Sequence, residues 1–124
     1  MAGGHNFKEE TGQMEFDASG NLKVNIAAGT GATSGTATVT SVSDNASSVT
    51  LLASNTNRLG ATIENDSSAV LYVLLGSGTA SATNYTVRMI QYSYFEVPYD
   101  YTGAITGIWA SDPNDGGARV TELT

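Results

Sequence analysis

The sequence predicts an all-β protein: an antiparallel, jelly-roll-like β-sandwich preceded by an extended N-terminal arm. Three observations support this. Small and β-branched residues are frequent and only 14% of the 124 residues are charged, which suits strands and turns better than helices. No long window has the i, i+3, i+4, i+7 apolar spacing of an amphipathic helix. From Ser47 onward, short β-branched runs alternate with turn formers at intervals of about 8 to 12 residues, as in many sandwiches.

The first part of the chain, residues 1–45, is predicted to form the arm and a linker, and residues 46–124 are predicted to form the sandwich domain. Within the arm, Gln13–Phe16 is expected to pair with Asn21–Ala27, because apolar and polar residues alternate along the second segment. The Gly- and Ser-rich segment that begins at Ala28 has the composition of a flexible linker. We therefore expect the arm to extend from its own domain and to lie on a neighbouring molecule.

The sandwich domain contains a series of short segments with strand composition. Thr36–Val42 is a candidate for an additional edge strand, and Pro98 is expected to end the strand before it, because proline cannot donate to a ladder. The predicted strands are Ser48–Ala53, Arg58–Glu64, Ala69–Leu75, Asn84–Gln91, Tyr94–Val97, Gly103–Trp109 and Arg119–Leu123.

The segment from Asn57 to Gly76 is central to this prediction. Its two strands, Arg58–Glu64 and Ala69–Leu75, flank the polar run Asn65–Ser68, and this arrangement predicts a β-hairpin. The second strand is apolar at every position from Val70 onward. Such a strand is covered on both faces. We expect the domain core to cover one face and another subunit to cover the other.

Charge and chemistry exclude several classes of function. The net charge is −7, from five basic and twelve acidic residues, and the basic residues are scattered singly, so no nucleic-acid partner is expected. No apolar run is long enough to cross a bilayer, so no membrane partner is expected either. The chain has no Cys, and His5 is its one His, which leaves too few ligands for a zinc site. We expect no catalytic residue, no metal and no cofactor.

One turn resembles the start of a calcium-binding loop. Asp112–Gly117 places oxygen-bearing side chains before a Gly at the sixth position, but the twelfth position is Leu123 instead of an acid, and the flanking segments have strand composition. A plain turn is therefore the favoured interpretation. Carboxylate pairs for glycoside hydrolysis are conceivable, but their members sit at strand ends or turns, where solvation explains them better; these are Glu64, Asp66, Glu96 and Asp100.

Aromatic residues are concentrated between Tyr85 and Trp109. Tyr and Trp that are not all buried mark subunit interfaces or sugar-binding platforms. The alternation Ile105, Gly107, Trp109 indicates that some of these residues belong to the core. An interface is favoured over a carbohydrate platform, because no cluster of hydrogen-bonding amides accompanies the aromatics. The candidate interface residues are Phe7, Phe16, Val70, Tyr72, Leu74, Tyr94, Tyr99, Tyr101 and Trp109.

Several segments between residues 48 and 123 together resemble a small β-rich module found in structural proteins of tailed bacteriophages. The first 45 residues carry no part of the resemblance, and the segments are distinctive as a set more than singly. They are Val49-Thr-Leu-Leu-Ala, Asn57-Arg-Leu-Gly-Ala-Thr-Ile-Glu-Asn-Asp-Ser, Leu71-Tyr-Val-Leu-Leu-Gly, Tyr85-Thr-Val, Tyr94-Phe-Glu-Val-Pro, Tyr101-Thr-Gly-Ala-Ile-Thr-Gly-Ile-Trp-Ala and Arg119-Val-Thr-Glu-Leu.

The resemblance implies a component of a phage particle that is assembled in the cytoplasm of the bacterial host. We expect a non-enzymatic virion protein, in the first place a capsid decoration (cement) protein that binds the major capsid protein as a homo-oligomer, expected to be a trimer. The alternative is a head-fibre, tail-fibre or tail-adaptor component that binds host surface glycans through its Tyr and Trp residues. A hydrolase is a third and more distant alternative.

Overall fold

All regular elements are β-strands in the residues that the structure, a computed structural model, describes: 15–16, 22–23 and 33–124. Within this part no helix is long and apolar enough to cross a membrane. The strands are β1 Glu15–Phe16, β2 Leu22–Lys23, β3 Ala37–Ser43, β4 Val49–Leu52, β5 Gly60–Asn65, β6 Leu71–Leu75, β7 Val87–Met89, β8 Tyr94–Val97, β9 Ile105–Trp109 and β10 Gly117–Leu123.

The chain divides into two units, Met1–Ala32 and Thr33–Thr124. In the first unit, β1 and β2 pair antiparallel, with Phe16 opposite Leu22, which agrees with the hairpin predicted there. The rest of that predicted hairpin lies outside the described residues. The second unit contains β3 to β10. It therefore begins before the predicted boundary at residue 46, because β3 pairs with β10 along its whole length.

The second unit is a β-sandwich, which confirms the predicted fold class. Sheet I has the strand order β3-β10-β5-β8 and sheet II the order β4-β9-β6-β7, and all pairings are antiparallel. Successive strands alternate between the sheets, except that β6 and β7 are adjacent in sheet II. This is the strand order of an eight-stranded jelly roll.

The predicted hairpin around Asn65–Ser68 is wrong. The strand β5 lies in sheet I and β6 lies in sheet II, so the residues between them cross from one sheet to the other. Asn65 and Ser67 are fully buried there, and hydrogen bonds inside the sandwich satisfy their side chains. The segment is therefore not an exposed hairpin turn. The hairpin partner of β6 is β7, which pairs Leu71 with Met89.

The core lies between the two sheets. Sheet I and sheet II contribute alternate residues of their strands, as the period of two requires. Gly107 faces this core, and a Cβ there would come within 2.9 Å of a methyl group of Leu51, so the position accepts only the smallest residue without a shift. The buried apolar residues that form the core are Leu51, Ala61, Ile63, Ala69, Leu71, Val73, Met89, Val97, Ile105, Trp109, Ala118 and Val120.

A buried arginine ties the sheets together before the start of β5. The guanidinium of Arg58 donates from Nε to Glu122 of sheet I at 2.8 Å and from Nη2 to the carbonyl oxygen of Ala53, which follows β4 of sheet II. Its Nη1 donates to the carbonyl oxygens of Tyr101 and Gly103, at 3.2 and 2.8 Å. Both sheets and the connection between β8 and β9 are thus fixed to one side chain.

A buried asparagine has the same role at the other end of β5. The amide nitrogen of Asn65 donates to the carbonyl oxygens of Ala69 and Met89, at 2.9 and 3.0 Å. Its amide oxygen accepts from the backbone N–H of Ser67 at 3.1 Å and from the indole Nε1 of Trp109 at 3.0 Å. All four hydrogen bonds that an Asn side chain ordinarily makes are therefore made.

Candidate interaction surface

The outward side of β6 forms the centre of an apolar surface on sheet II. Leu71 and Val73 are buried in the core, whereas Tyr72 and Leu74 alternate with them and are partly exposed on the opposite face. Val70, two residues before Tyr72, is also partly exposed and continues the same side of the chain. A strand that is apolar on both sides thus presents one of its sides to solvent.

The strand β9 extends this surface on one side of β6, whereas on the other side β7 contributes the exposed Arg88 and Tyr85 lies just before that strand. Tyr72 lies opposite Ile108 of β9 and opposite Arg88 of β7. The ring of Tyr72 also packs against that of Tyr85, with centroids 5.0 Å apart and planes inclined by 54°, a tilted arrangement that aromatic pairs favour. Val70, Tyr72, Leu74, Tyr85 and Ile108 are together called the sheet II patch below.

The outer face of sheet I has a different character. One row across it contains Ser41, Arg119, Glu64 and Tyr94, in that order. The Arg119 guanidinium donates to Ser41 Oγ at 2.7 Å and to the Asp66 carboxylate at 2.9 Å. This face is therefore polar and its charges are solvated or paired, whereas the sheet II patch brings aliphatic and aromatic side chains together.

The structure brings some of the predicted interface residues together and separates the others. Val70, Tyr72 and Leu74 belong to the sheet II patch. Phe7 lies outside the described residues, and Phe16 is described only as part of the backbone of β1. Ile108 and Tyr85 are not among the interface residues predicted from the sequence, although the inward alternation of Ile105, Gly107 and Trp109 already places Ile108 on the outer side of its strand.

The structure places Trp109, one of the candidate interface residues, in the core and not on the surface. The side chain is 1% exposed and packs in the core, with its indole N–H donating to Asn65, so the folded chain does not present it at an interface. Tyr101 is half-buried, packs against the core, and donates its hydroxyl to the carbonyl oxygen of Ala104 at 2.8 Å. Its own carbonyl oxygen accepts from Arg58. The ring of Tyr101 therefore supports the β8–β9 connection.

The most exposed tyrosines lie outside the sheet II patch. Tyr94 is 63% exposed and Tyr99 is 67% exposed, and the unpredicted Tyr92 is 69% exposed. The Tyr94 hydroxyl donates to Glu96 at 3.3 Å. Partial desolvation and then the Glu96 carboxylate raise the pKa of Tyr94. These side chains present polar tips on apolar rings to solvent.

The carboxylate of Asp115 connects the turn before β10 to the segment that crosses between β5 and β6 through hydrogen bonds. Asp115 accepts from the Ser68 hydroxyl, from the Ser68 backbone N–H at 3.2 Å and from Ser67 Oγ at 3.1 Å. Ser67 Oγ also lies 2.8 Å from an oxygen of the buried Asp44.

Within residues 33–124, no group of three or more His, Cys, Asp or Glu side chains is arranged to hold a metal ion.

Hydrogen bonds lower the pKa of Asp115, with the Ser68 hydroxyl as the largest cause. A carboxylate with a lowered pKa stabilises the fold above the pKa of the unfolded chain, and that stabilisation is lost as the pH falls through the lower folded pKa. We therefore expect Asp115→Asn to be less stable than the parent at neutral pH and to lose less stability than the parent on acidification below about pH 4. Urea unfolding across pH 2.5–7 measures this.

The exposed Asp112 in the same turn provides a matched control, because Asp112→Asn removes one carboxylate and keeps every bond to Asp115. If the two variants have the same pH profile, the bonds of Asp115 to Ser67 and Ser68 do not stabilise the fold.

Comparison of the chain with family models, with curated proteins and with solved structures gives no match. The resemblance to phage modules therefore stays a prediction.

Proposed function

We propose that the protein is a non-enzymatic structural component of a bacteriophage virion, and specifically a decoration protein that binds the outer surface of the capsid. It acts as a homo-oligomer, a trimer in our proposal, and its direct partner on the particle is the major capsid protein. The decoration protein acts through its contact surfaces, and the β-sandwich provides its stability.

The sheet II patch is the observation that carries this proposal. Its centre is Tyr72, which lies between Ile108 of β9 and Arg88 of β7, packs against Tyr85 and has Val70 and Leu74 on the same side of β6. Apolar and aromatic side chains at the middle of a surface are typical of the centre of a protein interface, where they contribute most of the binding free energy. In the trimer, this patch is the face that each subunit buries.

The fold supports the proposal by analogy. Double-sheet jelly rolls occur in viral capsid proteins and in lectins, among other proteins. A fold alone does not define a function. The jelly roll is nevertheless well suited to a decoration protein, because its core and the hydrogen-bonded, buried side chains of Arg58 and Asn65 hold the outer faces in fixed positions. Many identical weak contacts on a lattice then give strong attachment.

The role of the patch in self-association is tested by introducing a charge. Leu74→Glu places a carboxylate on β6 within the patch, and desolvating that charge is expected to weaken self-association about ten-fold or more. Sedimentation equilibrium at micromolar concentration measures the mass, which for the parent is expected to be three times that of the 12.8 kDa chain.

Thr121→Glu is the matched control, since it introduces the same charge on β10, near the middle of the outer face of sheet I. We expect it to leave the oligomer unchanged, and both variants to keep the parent circular-dichroism spectrum. A parent protein that sediments as a monomer at this concentration would remove the oligomer from the proposal.

The virion assignment is tested by labelling particles. Antibodies against the recombinant chain, coupled to gold, are applied to phage particles purified from a lysate of the host in which the gene is expressed. Label distributed over the head is expected for a decoration protein. Label confined to the tail or to fibres would favour the alternative below, and particles that carry no label would overturn the assignment.

A glycan-binding fibre or adaptor component is the second candidate, and the exposed rings of Tyr92, Tyr94 and Tyr99 are the observation that favours it. Because Trp109 is a core residue, its substitution does not probe such a site. Tyr99→Ala is the informative change instead. Binding of the parent to host-surface glycans, together with loss of that binding in Tyr99→Ala, would support this candidate over the decoration protein.

A further inference from the structure

The strand β3 lies at the edge of sheet I, and within the described residues it pairs on one side with β10 and has no strand on its other side. Six of its seven residues are exposed, and Val39 is 66% exposed. Edge strands of natural proteins are commonly protected by lysines, prolines, bulges or short length. The segment Ala-Thr-Val-Thr-Ser-Val-Ser contains no charge and no proline, and its register with β10 is unbroken.

The hydrogen bonds to β10 define which backbone groups of β3 are free. Thr36 and Thr124 exchange N–H donors and carbonyl acceptors, at 3.2 and 2.9 Å, and Asp44 donates to Gly116 at 3.0 Å. In an antiparallel ladder these pairs recur at every second residue. The even-numbered residues of β3 therefore bond to β10, whereas the N–H and C=O groups of Ala37, Val39, Ser41 and Ser43 point to the open edge.

We propose that β3 of one chain pairs antiparallel with β3 of a second copy about a two-fold axis at Thr40. In this register Val39 lies opposite Ser41 of the second copy and Ala37 lies opposite its Ser43. The residues that face each other at hydrogen-bonding positions are all odd-numbered, so the free groups on both edges are paired over the full length of the strand.

The chemistry of the strand favours a second copy as the occupant. The edge is complementary to itself, because the same alternation of free groups runs in both directions from Thr40. Two Thr residues facing each other are a favourable cross-strand pair, and β3 brings no charge to oppose its own copy. The Arg119 beside Ser41 is already paired with Asp66, so it does not repel the incoming strand.

This contact is independent of the proposed function, because it uses the edge of sheet I and not the sheet II patch. It makes a closed, two-fold pair. If subunits also associate through the patch, the edge joins one oligomer to the next, and a contact of modest strength in solution becomes effective on a crowded surface.

Cysteine cross-linking tests the register, because the chain has no Cys of its own. In the proposed pair, Thr40 faces its own copy at a non-hydrogen-bonded position, where Cα atoms lie about 4.5 Å apart, within the range of a disulfide. Thr38→Cys is the matched control, since the two copies of residue 38 would lie roughly 14 Å apart along the strands. Under mild oxidation we expect Thr40→Cys to form the covalent dimer about ten-fold faster than Thr38→Cys.

The second variant tests the edge itself. Val39→Lys, added to Thr40→Cys, places an ammonium group on the open edge, a feature that protects natural edge strands from pairing, and is expected to abolish the faster reaction. The cross-linking is repeated in the Leu74→Glu background, where an unchanged rate shows that the edge does not depend on the sheet II patch. Equal rates for the Thr40→Cys and Thr38→Cys chains, or no effect of Val39→Lys, would overturn the proposal.

Discussion

Replacement of Arg58 by alanine is expected to lower the free energy of unfolding by about 3–5 kcal/mol, because removing one partner of a buried ion pair leaves the other uncompensated. The Arg58 side chain has no exposed surface, and that of Glu122 is 18% exposed. Three backbone carbonyl oxygens lose their donor in the same step, and each buried group left without a partner adds to the cost.

The other ion pair that the structure describes, between Arg119 and Asp66, provides the control. Its distance of 2.9 Å is close to the 2.8 Å of the buried pair, but the Arg119 side chain is 54% exposed. Arg119→Ala is therefore expected to cost at most about 1 kcal/mol. Urea unfolding followed by the fluorescence of the single tryptophan measures both variants. Equal losses would show that burial does not strengthen the Arg58 contacts.

A double variant separates the ion pair from the carbonyl contacts. In Arg58→Met, Glu122→Leu the unpaired carboxylate is gone, so part of the lost stability is expected to return. The carbonyl oxygens of Ala53, Tyr101 and Gly103 still lack a donor. Recovery is therefore expected to be incomplete, and full recovery would mean that water or a rearranged loop satisfies these carbonyls.

The importance of Arg58 could not be predicted from the sequence. The sequence pattern predicts that this position starts a strand, where a single basic residue usually has a solvated side chain. Its contacts come from residues near 53, 101 and 122, which the fold brings together. Only the strand order of the sandwich places these acceptors around one side chain, and strand order depends on long-range packing.

Strand positions were more predictable than strand pairing. The run Tyr94–Val97 is a strand with the predicted bounds, and Pro98 follows it. The period of two and the β-branched residues are local signals, so they survive without knowledge of the fold. The prediction of a β5–β6 hairpin is wrong because the same turn-forming residues also occur where a chain crosses between sheets. Local sequence does not distinguish a hairpin turn from such a crossing.

The sheet II patch was predictable in part for the same reason. The unbroken apolar run of β6 predicts that one alternating set of its residues faces outward, and the structure shows that this set is Tyr72 and Leu74, because Leu71 and Val73 face the core. The remaining members come from other strands, and their positions depend on register. The residue type alone makes Trp109 an interface candidate. The hydrogen bond that its buried indole makes to Asn65 depends on the end of β5 lying beside the end of β9, which local sequence does not show.

Replacement of Asn65 by aspartate is expected to cost about 3–5 kcal/mol at neutral pH, although the two side chains have almost the same shape. The Asn amide nitrogen donates to the carbonyl oxygens of Ala69 and Met89. An aspartate oxygen in that place is an acceptor facing two acceptors. If the carboxylate stays ionised, it is also a charge buried at a position with no exposed surface.

The pH dependence identifies which of these costs is larger. A buried carboxyl beside carbonyl oxygens has its pKa raised on folding, so the penalty of Asn65→Asp is expected to grow as the pH rises above the ordinary Asp pKa of about 4. At pH 3–4 the protonated acid can donate to one of the two carbonyl oxygens, and part of the stability is expected to return. A penalty that does not vary with pH would show that the lost donors, and not the charge, account for the cost.

Asn84→Asp is the matched control for this change. The Asn84 amide nitrogen also donates to a carbonyl oxygen, that of Thr79 at 3.0 Å, but the residue is exposed. Its replacement is expected to change the free energy of unfolding by less than about 1 kcal/mol, since water can satisfy the carbonyl. Because the Asn65 amide oxygen accepts from Trp109, the emission of the folded state reports directly on the altered site. Equal losses in the two variants would mean that Asn65 does not hold the ends of the two sheets together, and the fixed position of the sheet II patch would then need another cause.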